Sequence, residues 1–501
     1  MGSDARLDRA NGPSSSSTAL SVFLVVLALG LLYLYNLGGW LINDDEGTFL
    51  YQVWRIGEGE HPYRDLFTSR WPLFLYTGAG WMRVVGAEAV PMRLLSVCMT
   101  LGTAVIVFLL ARHTLPAEAA LLSMVVFLLH PDIFRFGRSF QPEPFYVFFS
   151  TLGLYLFTRG QTKGDTASFI GAGLVFAVAS LYKLLAVLVM AGCALLLGVT
   201  WLRERESRRR IACRALALLL PYVVLFGLVT LGFMLSVPRF YESVVAVNLA
   251  PGQELTWLQV ALKGLAFLAT YFLTSAPFLL LVLPAAWRGW SGGRETALLS
   301  WQLPTALAFL LLSRELFPRL LLYLVPSLSI LFAAALEPVR LLPRRSSLLL
   351  AIVGAVLIPW IVSDVQMLLC SEQDTMAVSR YIQARVPPGD KVLSDYQELN
   401  FYARRPSTYS GAEISQVVAA GGQITGADLI AEIKAADVNM VIVDVSPQTA
   451  YHMVNLRDYE GFRAYLQEHF VLLDVLSREE QQLEVYFRSQ SPLSAPEGKQ
   501  E

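Results

Sequence analysis

The chain has 501 residues, of which 55% are hydrophobic and only 16% are charged, and its net charge is −1 at pH 7. Soluble domains carry about 25% charged residues, so this composition predicts an integral membrane protein. The near-neutral charge gives no reason to expect a nucleic-acid partner. Four cysteines without a C-x-x-C pair predict neither a zinc site nor a structural disulfide.

The membrane-spanning part follows a polar, Ser-rich segment, residues 1–18, which we expect to be a disordered cytoplasmic tail. Residues 19–369 form the predicted transmembrane domain, with about eleven apolar runs near the length that crosses a bilayer. A further apolar stretch, 71–85, is too short to span and favours an interfacial or re-entrant helix. The predicted spans are 19–42, 91–111, 117–134, 142–158, 167–182, 184–202, 214–236, 258–286, 296–313, 318–337 and 347–369.

Basic residues in the short loops set the predicted orientation, because cytoplasmic loops are rich in Lys and Arg. The strongest cluster, residues 203–214, holds six arginines and belongs to the same side as the N-terminus. The first loop, 43–91, then lies outside, and eleven spans place the C-terminal part outside as well. We therefore predict a multi-pass protein of the plasma (inner) membrane with a cytoplasmic N-terminus.

The composition becomes soluble after the last apolar run, and residues 370–490 are predicted to form a small extracytoplasmic α/β domain. Short β-branched runs predict strands, and the amphipathic stretches predict helices. The polar residues 491–501 are expected to be a loose tail. The predicted elements are helices 373–385 and 457–469 and strands 391–395, 439–445, 471–475 and 483–488. The fold class is a mainly α-helical polytopic membrane protein with this small domain attached.

An acidic cluster, Asn43-Asp44-Asp45-Glu46, directly follows the first apolar run. Carboxylates at a membrane surface repel one another, so their crowding indicates that one acts as a base or that the group holds a cation. Mg²⁺ or Mn²⁺ would suit such a cluster. The loop that follows is long and aromatic, which favours a functional loop over a merely solvated one.

Charged residues elsewhere point to the same face of the membrane. Glu143 follows Pro142 at a helix start, where the helix dipole alone would favour a carboxylate, but it shares the predicted external face with Arg138 and the acidic cluster. Lys183 and Arg319 interrupt or open apolar runs, which costs free energy unless they reach the interface or a partner. They are either snorkelling side chains or clamps for a phosphate. Arg239 and Arg314 are weaker external candidates.

Nucleotide-binding motifs are missing from the chain: neither Gly-x-x-x-x-Gly-Lys nor Gly-x-Gly-x-x-Gly after a strand occurs. An activated donor for an external site must therefore arrive within the membrane. A polyprenyl-phosphate sugar meets that need, because its tail partitions into lipid and its phosphate is a good leaving group.

The first loop resembles that of the membrane-embedded GT-C glycosyltransferases, in particular their protein O-mannosyltransferase and aminoarabinose-transferase branch. Two departures are Trp71, where relatives often carry Pro, and the additional Asp44, which leaves open whether Asp44 or Asp45 aligns with the family base. The matching motifs are Asp44-Asp45-Glu46-Gly47, Gly59-x-x-Pro62-Tyr63-x-Asp65, Arg70-Trp71-Pro72-Leu73, Gly86 with Arg93-Leu94, Phe136-x-Arg138 with Pro142-Glu143, Tyr182-Lys183 and Arg319-x-x-x-Tyr323-x-x-Pro326.

The resemblance implies an inverting transfer of a sugar from a polyprenyl-phosphate donor to a hydroxyl of a protein, lipid or glycan acceptor, with no metal required. Asp45 or Asp44 would remove the acceptor proton, Glu46 would orient the loop or the acceptor, and Glu143 would be a second acidic partner. The implied phosphate-binding residues are Arg138, Lys183, Arg319, Tyr323 and Arg70, and the implied substrate-loop residues are Tyr63, Arg64 and Asp65.

Two other functions are compatible with the sequence. A lipid or polysaccharide transporter or flippase would also place charges at membrane depth, but it gains little from a long aromatic loop and a soluble domain, and no repeat typical of transporters is found. A scaffold with a partner-binding C-terminal domain is the third interpretation. Transfer of labelled sugar from a polyprenyl-phosphate donor distinguishes the enzyme from both.

Overall fold

The computed structural model describes residues 15–39, 44–203, 208–249, 256–290, 297–314, 316–337, 345–369, 374–447, 452–478 and 481–488. The predicted tail 491–501, most of the predicted tail 1–18 and Asn43 lie outside these ranges, and so does the side chain of Asp44.

Helices make up the part of the chain before the C-terminal domain. Short 3₁₀ turns at Leu184–Ala186 and Pro318–Leu324 precede α9 and α16, and a π-helical turn at Tyr241–Ala246 precedes α11. The α-helices are α1 (Ser15–Leu34), α2 (Asp44–Gly57), α3 (Pro72–Val85), α4 (Ala89–Ala111), α5 (Ala117–Leu128), α6 (Pro131–Gly137), α7 (Pro142–Lys163), α8 (Thr166–Tyr182), α9 (Val187–Arg203), α10 (Arg208–Ser236), α11 (Val247–Leu249), α12 (Trp257–Thr274), α13 (Ala276–Trp290), α14 (Ala297–Ser300), α15 (Gln302–Leu312), α16 (Val325–Leu336) and α17 (Arg345–Leu368).

Seven helices of the described residues are long and apolar enough to cross a membrane, and an eighth span results if the bent pair α5–α6 is counted as one. Two shorter apolar helices, Thr166–Tyr182 and Ala297–Leu312, add to these. The chain is therefore a multi-pass membrane protein, as predicted. The number of eleven spans stays a prediction, because length and composition identify fewer.

Prolines explain where the predicted runs break. The run 117–134 bends by 62° between α5 and α6, where Pro131 begins the second helix. The run 258–286, predicted as one span, consists of α12 and α13. Pro277 follows this break, and a proline has no N–H to continue the hydrogen-bond ladder of the preceding helix.

Glycines allow neighbouring helices to approach closely. A side chain at Gly173 in α8 would meet the backbone carbonyl of Leu218 in α10, and such small residues let membrane helices pack against each other. Between α7 and α8, Gly164 adopts φ = 71°, a left-handed conformation that ends α7 and that glycine accepts without steric cost. Asp165 then caps α8 by accepting from the backbone N–H of Ala167 at 3.0 Å.

The C-terminal domain contains a four-stranded sheet in the order β1-β2-β4-β3, with β1 and β2 parallel and the other pairs antiparallel. The predicted small α/β domain is thus confirmed. Helices α19, α20 and α21 lie where the sequence predicted none. Its elements are α18 (Asp374–Arg385), β1 (Val392–Ser394), α19 (Gln397–Ala403), α20 (Gln416–Gly421), α21 (Gly426–Ala435), β2 (Met440–Asp444), α22 (Tyr459–His469), β3 (Phe470–Arg478) and β4 (Gln481–Arg488).

Helix α2 joins the two parts of the molecule. Its Phe49 packs edge-on against Phe74 of α3, with ring centroids 5.2 Å apart, while Trp54 packs edge-on against Phe401 of α19 at 6.4 Å. A side chain at Gly47 would collide with Glu398 of α19, so glycine at this position permits the close contact. The C-terminal domain therefore lies directly against the helix that begins with the acidic cluster.

Candidate active site

Asp45 lies in the first turn of α2 between two arginines. Its Oδ2 forms an ion pair with Arg319, and its Oδ1 is 3.7 Å from Arg70 Nη2. Burial by itself would raise the pKa of Asp45, but the positive charges of Arg319 and then Arg70 outweigh it and lower the pKa to about 2. The carboxylate is therefore firmly ionised, and its side chain remains 26% exposed.

Glu143 and Lys183 form a second ion pair beside the first. Lys183 Nζ lies 2.5 Å from Glu143 Oε1, and Glu143 is almost fully buried. The extended backbone of Lys183 lies between α8 and the turn Leu184–Ala186, which presents the ammonium group to the start of α7. Arg319 interacts electrostatically with both Asp45 and Glu143, so the two pairs belong to one charged cluster. We call Asp45, Arg70, Glu143, Lys183 and Arg319 the charged cluster.

Several buried polar atoms around the charged cluster have no hydrogen-bond partner within the described residues. They are Glu143 Oε2, Tyr146 Oη, Tyr323 Oη and Arg70 Nε. Tyr146 lies close enough to Glu143, Tyr323 and Arg319 to interact with them electrostatically. Buried polar groups in native proteins are nearly always satisfied. The donors and the acceptor left over at one place are groups that a polar ligand would engage.

Tyr63 fixes the loop that carries Arg70. Its hydroxyl donates to the backbone carbonyl of Arg70 at 2.6 Å, and its ring is fully buried. The backbone of Tyr63 has φ = 67°, a left-handed conformation that is uncommon for a bulky residue and that often marks functional loops. Arg64 and Asp65, by contrast, pair with each other at 2.8 Å on the surface. Of these three predicted substrate-loop residues, only Tyr63 is linked to the charged cluster.

Glu46, next to Asp45, is held by groups of the protein itself. Its carboxylate receives two hydrogen bonds from Arg93, at 2.9 and 2.8 Å, and one from the backbone N–H of Phe140 at 2.8 Å. Glu46 is completely buried. These contacts fit an orientation of the loop, and the role of Glu46 in orienting the loop or the acceptor stays a prediction.

Arg138 is directed at a helix end instead of the charged cluster. Its Nε donates to the carbonyl of Tyr33 at 3.0 Å, and its Nη2 donates to the carbonyl of Tyr35. Cationic side chains stabilise the unsatisfied carbonyls at helix C-termini. Arg138 therefore caps α1 with two of its nitrogens, and its role in binding phosphate stays a prediction.

The weaker external candidates contact aromatic rings. Arg239 lies over Tyr409 at 4.7 Å, and Arg314 lies over Trp257 at 5.4 Å.

Since the side chain of Asp44 lies outside the described residues, Asp45 is the acidic residue of the pair Asp44 and Asp45 whose contacts the structure describes.

Sequence reasoning missed Glu413, which comes from the C-terminal domain. Glu413 is 2% exposed, and its Oε1 lies 3.2 Å from Arg70 Nη2. It stands in an irregular segment between α19 and α20 with no motif around it, so no pattern in the sequence could have placed it near Asp45. Tyr146, one turn after Glu143 in α7, was missed as well, although its spacing from Glu143 was a usable signal.

The described residues contain no group of three or more His, Cys, Asp or Glu side chains that could hold a metal ion. The carboxylates of the charged cluster are paired with arginine and lysine. Whether a divalent cation takes part in the activity stays a prediction.

Comparison with solved structures identifies the architecture. ArnT from Cupriavidus metallidurans, in the apo state, matches with a TM-score of 0.65 and 15% identity, covering 95% of this chain and 98% of that one. The chain has the GT-C fold. An oligosaccharyltransferase of Archaeoglobus fulgidus matches with a TM-score of 0.57 and 14% identity over 93% of this chain and 73% of that one. A second ArnT structure, with the same TM-score of 0.65, is bound to undecaprenyl phosphate.

Sequence comparison agrees with this GT-C architecture. Residues 61–234 match the family described as dolichyl-phosphate-mannose-protein mannosyltransferase. An uncharacterized protein of Aquifex aeolicus (strain VF5) is 29% identical over 29% of this chain, and the match spans 37% of that protein's length. The predicted resemblance to membrane-embedded glycosyltransferases that use lipid-linked sugars is confirmed.

Proposed function

We propose that this protein is an inverting glycosyltransferase that moves a sugar from a polyprenyl-phosphate donor to an acceptor hydroxyl on the extracytoplasmic face of the membrane. The observation that carries the proposal is the placement of Asp45 between Arg319 and Arg70, beside the Lys183–Glu143 pair, in a chain with the GT-C fold. A base and a set of cations in one cluster are what this displacement requires.

Asp45 is the proposed general base. It takes the proton of the acceptor hydroxyl while that oxygen attacks the anomeric carbon of the sugar. The bond between the anomeric carbon and the phosphate oxygen breaks at the same time, and the electron pair leaves with the phosphate. Attack from the face opposite to the leaving group inverts the configuration. Glu143 Oε2, which has no partner within the described residues, is placed to accept a hydrogen bond from the sugar or the acceptor.

Arg319 and Lys183 are the proposed partners of the phosphate. In the structure, each of them neutralises a carboxylate. During the proposed reaction, negative charge develops on the phosphate oxygens as the sugar leaves. Fixed cations at that position stabilise the transition state more than the ground state. The hydroxyls of Tyr146 and Tyr323 would provide further donors to the phosphate or the sugar. Undecaprenyl phosphate bound to ArnT supports a polyprenyl phosphate as the donor's carrier.

Donor binding would also prepare the base. While Arg319 pairs with Asp45, the pKa of Asp45 is about 2, which makes it a weak base. A phosphate that engages Arg319 withdraws part of this stabilisation and raises the pKa of Asp45 toward the range useful for proton transfer. We therefore propose that the donor binds before the acceptor is deprotonated.

The test is a transfer assay with purified protein in lipid nanodiscs. Radiolabelled polyprenyl-phosphate sugar is incubated with a panel of protein, lipid and glycan acceptors, and the product is examined for a new glycosidic bond of inverted configuration. Transfer that disappears in Asp45→Asn supports the proposal. Movement of intact donor across the bilayer, with the sugar never leaving its phosphate, would instead identify a flippase.

A further inference from the structure

Glu413 reaches from the C-terminal domain into the segment that carries Arg70. Both of its oxygens are engaged: Oε1 accepts from the hydroxyl of Ser69 at 2.5 Å and pairs with Arg70 at 3.2 Å. Oε2 accepts from the backbone N–H of Ser69 at 2.9 Å and from Gln52 Nε2 at 3.0 Å. A carboxylate this deeply buried is stable only with hydrogen bonds and a cation. Arg70 supplies the charge.

The same arginine nitrogen that pairs with Glu413 faces the proposed base. Arg70 Nη2 is 3.2 Å from Glu413 and 3.7 Å from Asp45, so the guanidinium bridges the C-terminal domain and the charged cluster. Phe49 lies 5.0 Å beneath the guanidinium carbon, and Tyr63 holds the backbone carbonyl of Arg70. Asp45 and Glu413 are the two negative charges that face the guanidinium of Arg70. Of the contacts described above, only the one with Glu413 therefore opposes the attraction between Arg70 and Asp45.

We infer that Glu413 of the C-terminal domain is a positioning residue that fixes Arg70 against Asp45, so that the charged cluster is complete only when this domain is docked. The inference rests on the proposed function of the charged cluster. During the reaction Asp45 gains a proton and loses its attraction for Arg70. Glu413 keeps Arg70 in place at that moment, so Arg70 does not follow the departing phosphate and the base is reset in the same geometry.

A double-mutant cycle tests whether Glu413 acts through Arg70. Glu413→Gln is expected to lower kcat/KM roughly 10- to 100-fold, because small displacements of reacting groups have effects of this size. In an Arg70→Ala background the same change is expected to have almost no further effect. Fully additive losses would overturn the inference, because they would mean that Glu413 acts independently of Arg70.

Tyr51→Phe is the matched control for docking. Like Glu413, Tyr51 forms a hydrogen bond between α2 and the C-terminal domain. Its hydroxyl accepts from the backbone N–H of Ser407 at 2.7 Å, and this bond does not involve Arg70. The Tyr51→Phe substitution removes this interdomain hydrogen bond and is expected to leave kcat/KM nearly unchanged. An equal loss in Tyr51→Phe and Glu413→Gln would overturn the inference in favour of general docking.

Chemical labelling of Arg70 gives a readout that does not depend on turnover. Phenylglyoxal modifies accessible guanidinium groups, and mass spectrometry quantifies Arg70 relative to the exposed Arg83 of the same molecule. Glu413→Gln is expected to increase the labelling of Arg70 several-fold, and Tyr51→Phe is not. Unchanged labelling in Glu413→Gln would overturn the inference. Absence of sugar transfer by the wild-type protein would overturn the proposed function only, since the labelling still decides the role of Glu413.

Discussion

Two acidic regions of the molecule hold their carboxylates in opposite ways. Asp45 in the charged cluster faces Arg319 and Arg70, and its pKa falls to about 2. Asp395 directly follows β1 in the C-terminal domain and is more deeply buried, at 1% exposure. It accepts from the backbone N–H groups of Asp444 and Met453, at 2.6 and 2.9 Å, and His452 is its neighbouring positive charge. Burial therefore dominates there, and the pKa of Asp395 rises to about 6.

The difference separates the proposed base from a structural carboxylate. Asp45 is held by side chains that can turn toward another anion, and it keeps some exposed surface. Asp395 is held by main-chain amides that cannot leave without unfolding the loop around Met453. A carboxylate with exchangeable cationic partners can respond to a ligand, whereas one bound to the backbone responds to pH and to unfolding.

The largest expected effect follows from Asp45→Asn. Removal of the proposed base should lower kcat roughly 10²- to 10⁴-fold in the transfer assay, since this is the usual contribution of general-base catalysis. Donor affinity, measured by titration with undecaprenyl phosphate, should not weaken, because Arg319 loses a competing anion. Glu58→Gln, at an exposed position near the end of the same helix, is the control and should be nearly silent. Wild-type turnover in Asp45→Asn would exclude Asp45 as the base.

Glu46→Gln tests whether the carboxylate adjacent to Asp45 has a structural role. Breaking a buried ion pair leaves an uncompensated charge, here on Arg93, and costs about 3–5 kcal/mol of stability. Thermal denaturation in detergent should therefore show a clearly lower Tm, while folded molecules keep substantial activity. If Tm stays constant and activity is lost, Glu46 has a chemical role and our distinction fails.

Arg319→Gln tests the arginine that pairs with Asp45 and is proposed to turn toward the phosphate. Loss of one fixed donor to the departing phosphate should reduce kcat roughly 10²- to 10³-fold. The pKa of Asp45 should rise at the same time, because its strongest favourable charge is gone. An acid limb should then enter the pH profile of kcat/KM, whereas in the wild-type protein this limb lies near pH 2, below the working range. An unchanged profile would show that Arg319 does not control the ionisation of Asp45.

Asp395 should make the C-terminal domain more stable in mild acid. Its folded-state pKa of about 6 exceeds the ordinary 3.8, so the folded state retains the proton longer than the unfolded state does. Its contribution to stability is present below about pH 4, is lost as the pH rises to about 6, and amounts to roughly 3 kcal/mol. Hydrogen exchange of β2 amides in the full-length protein, corrected for intrinsic rates, measures it. The dependence should flatten in Asp395→Asn and persist in Asp474→Asn; a flat wild-type profile would contradict the assignment.

Much of this architecture could be predicted from local patterns. Apolar runs of spanning length predicted most of the membrane helices, and β-branched runs such as 439–445 predicted the strands of the sheet. Lys183 and Arg319 could be singled out because isolated charges in apolar surroundings are costly, and Asp45 because carboxylates are crowded around it. The predicted topology placed Glu143 and the acidic cluster on the same face of the membrane.

Other features depend on contacts between distant segments and had no local signal. Glu413 and Ser69 meet across 344 residues, and nothing near Glu413 distinguishes it from a surface carboxylate. The contacts of Arg138 with the carbonyls of Tyr33 and Tyr35 could not be predicted either, because only the folded chain brings these residues together. The break in 258–286 was signalled by Pro277, but hydropathy alone passes over a proline in a long apolar run.

The close contact between Gly47 and Glu398 has a consequence for biosynthesis. A ribosome delivers α2 and the following helices to the bilayer long before α19 and Glu413 have been translated. On the proposed function, the newly inserted membrane portion exists for a time with a charged cluster that Glu413 does not yet hold in place. The proposed transfer is then expected to reach its full rate only after the last quarter of the polypeptide has emerged, folded and closed over α2.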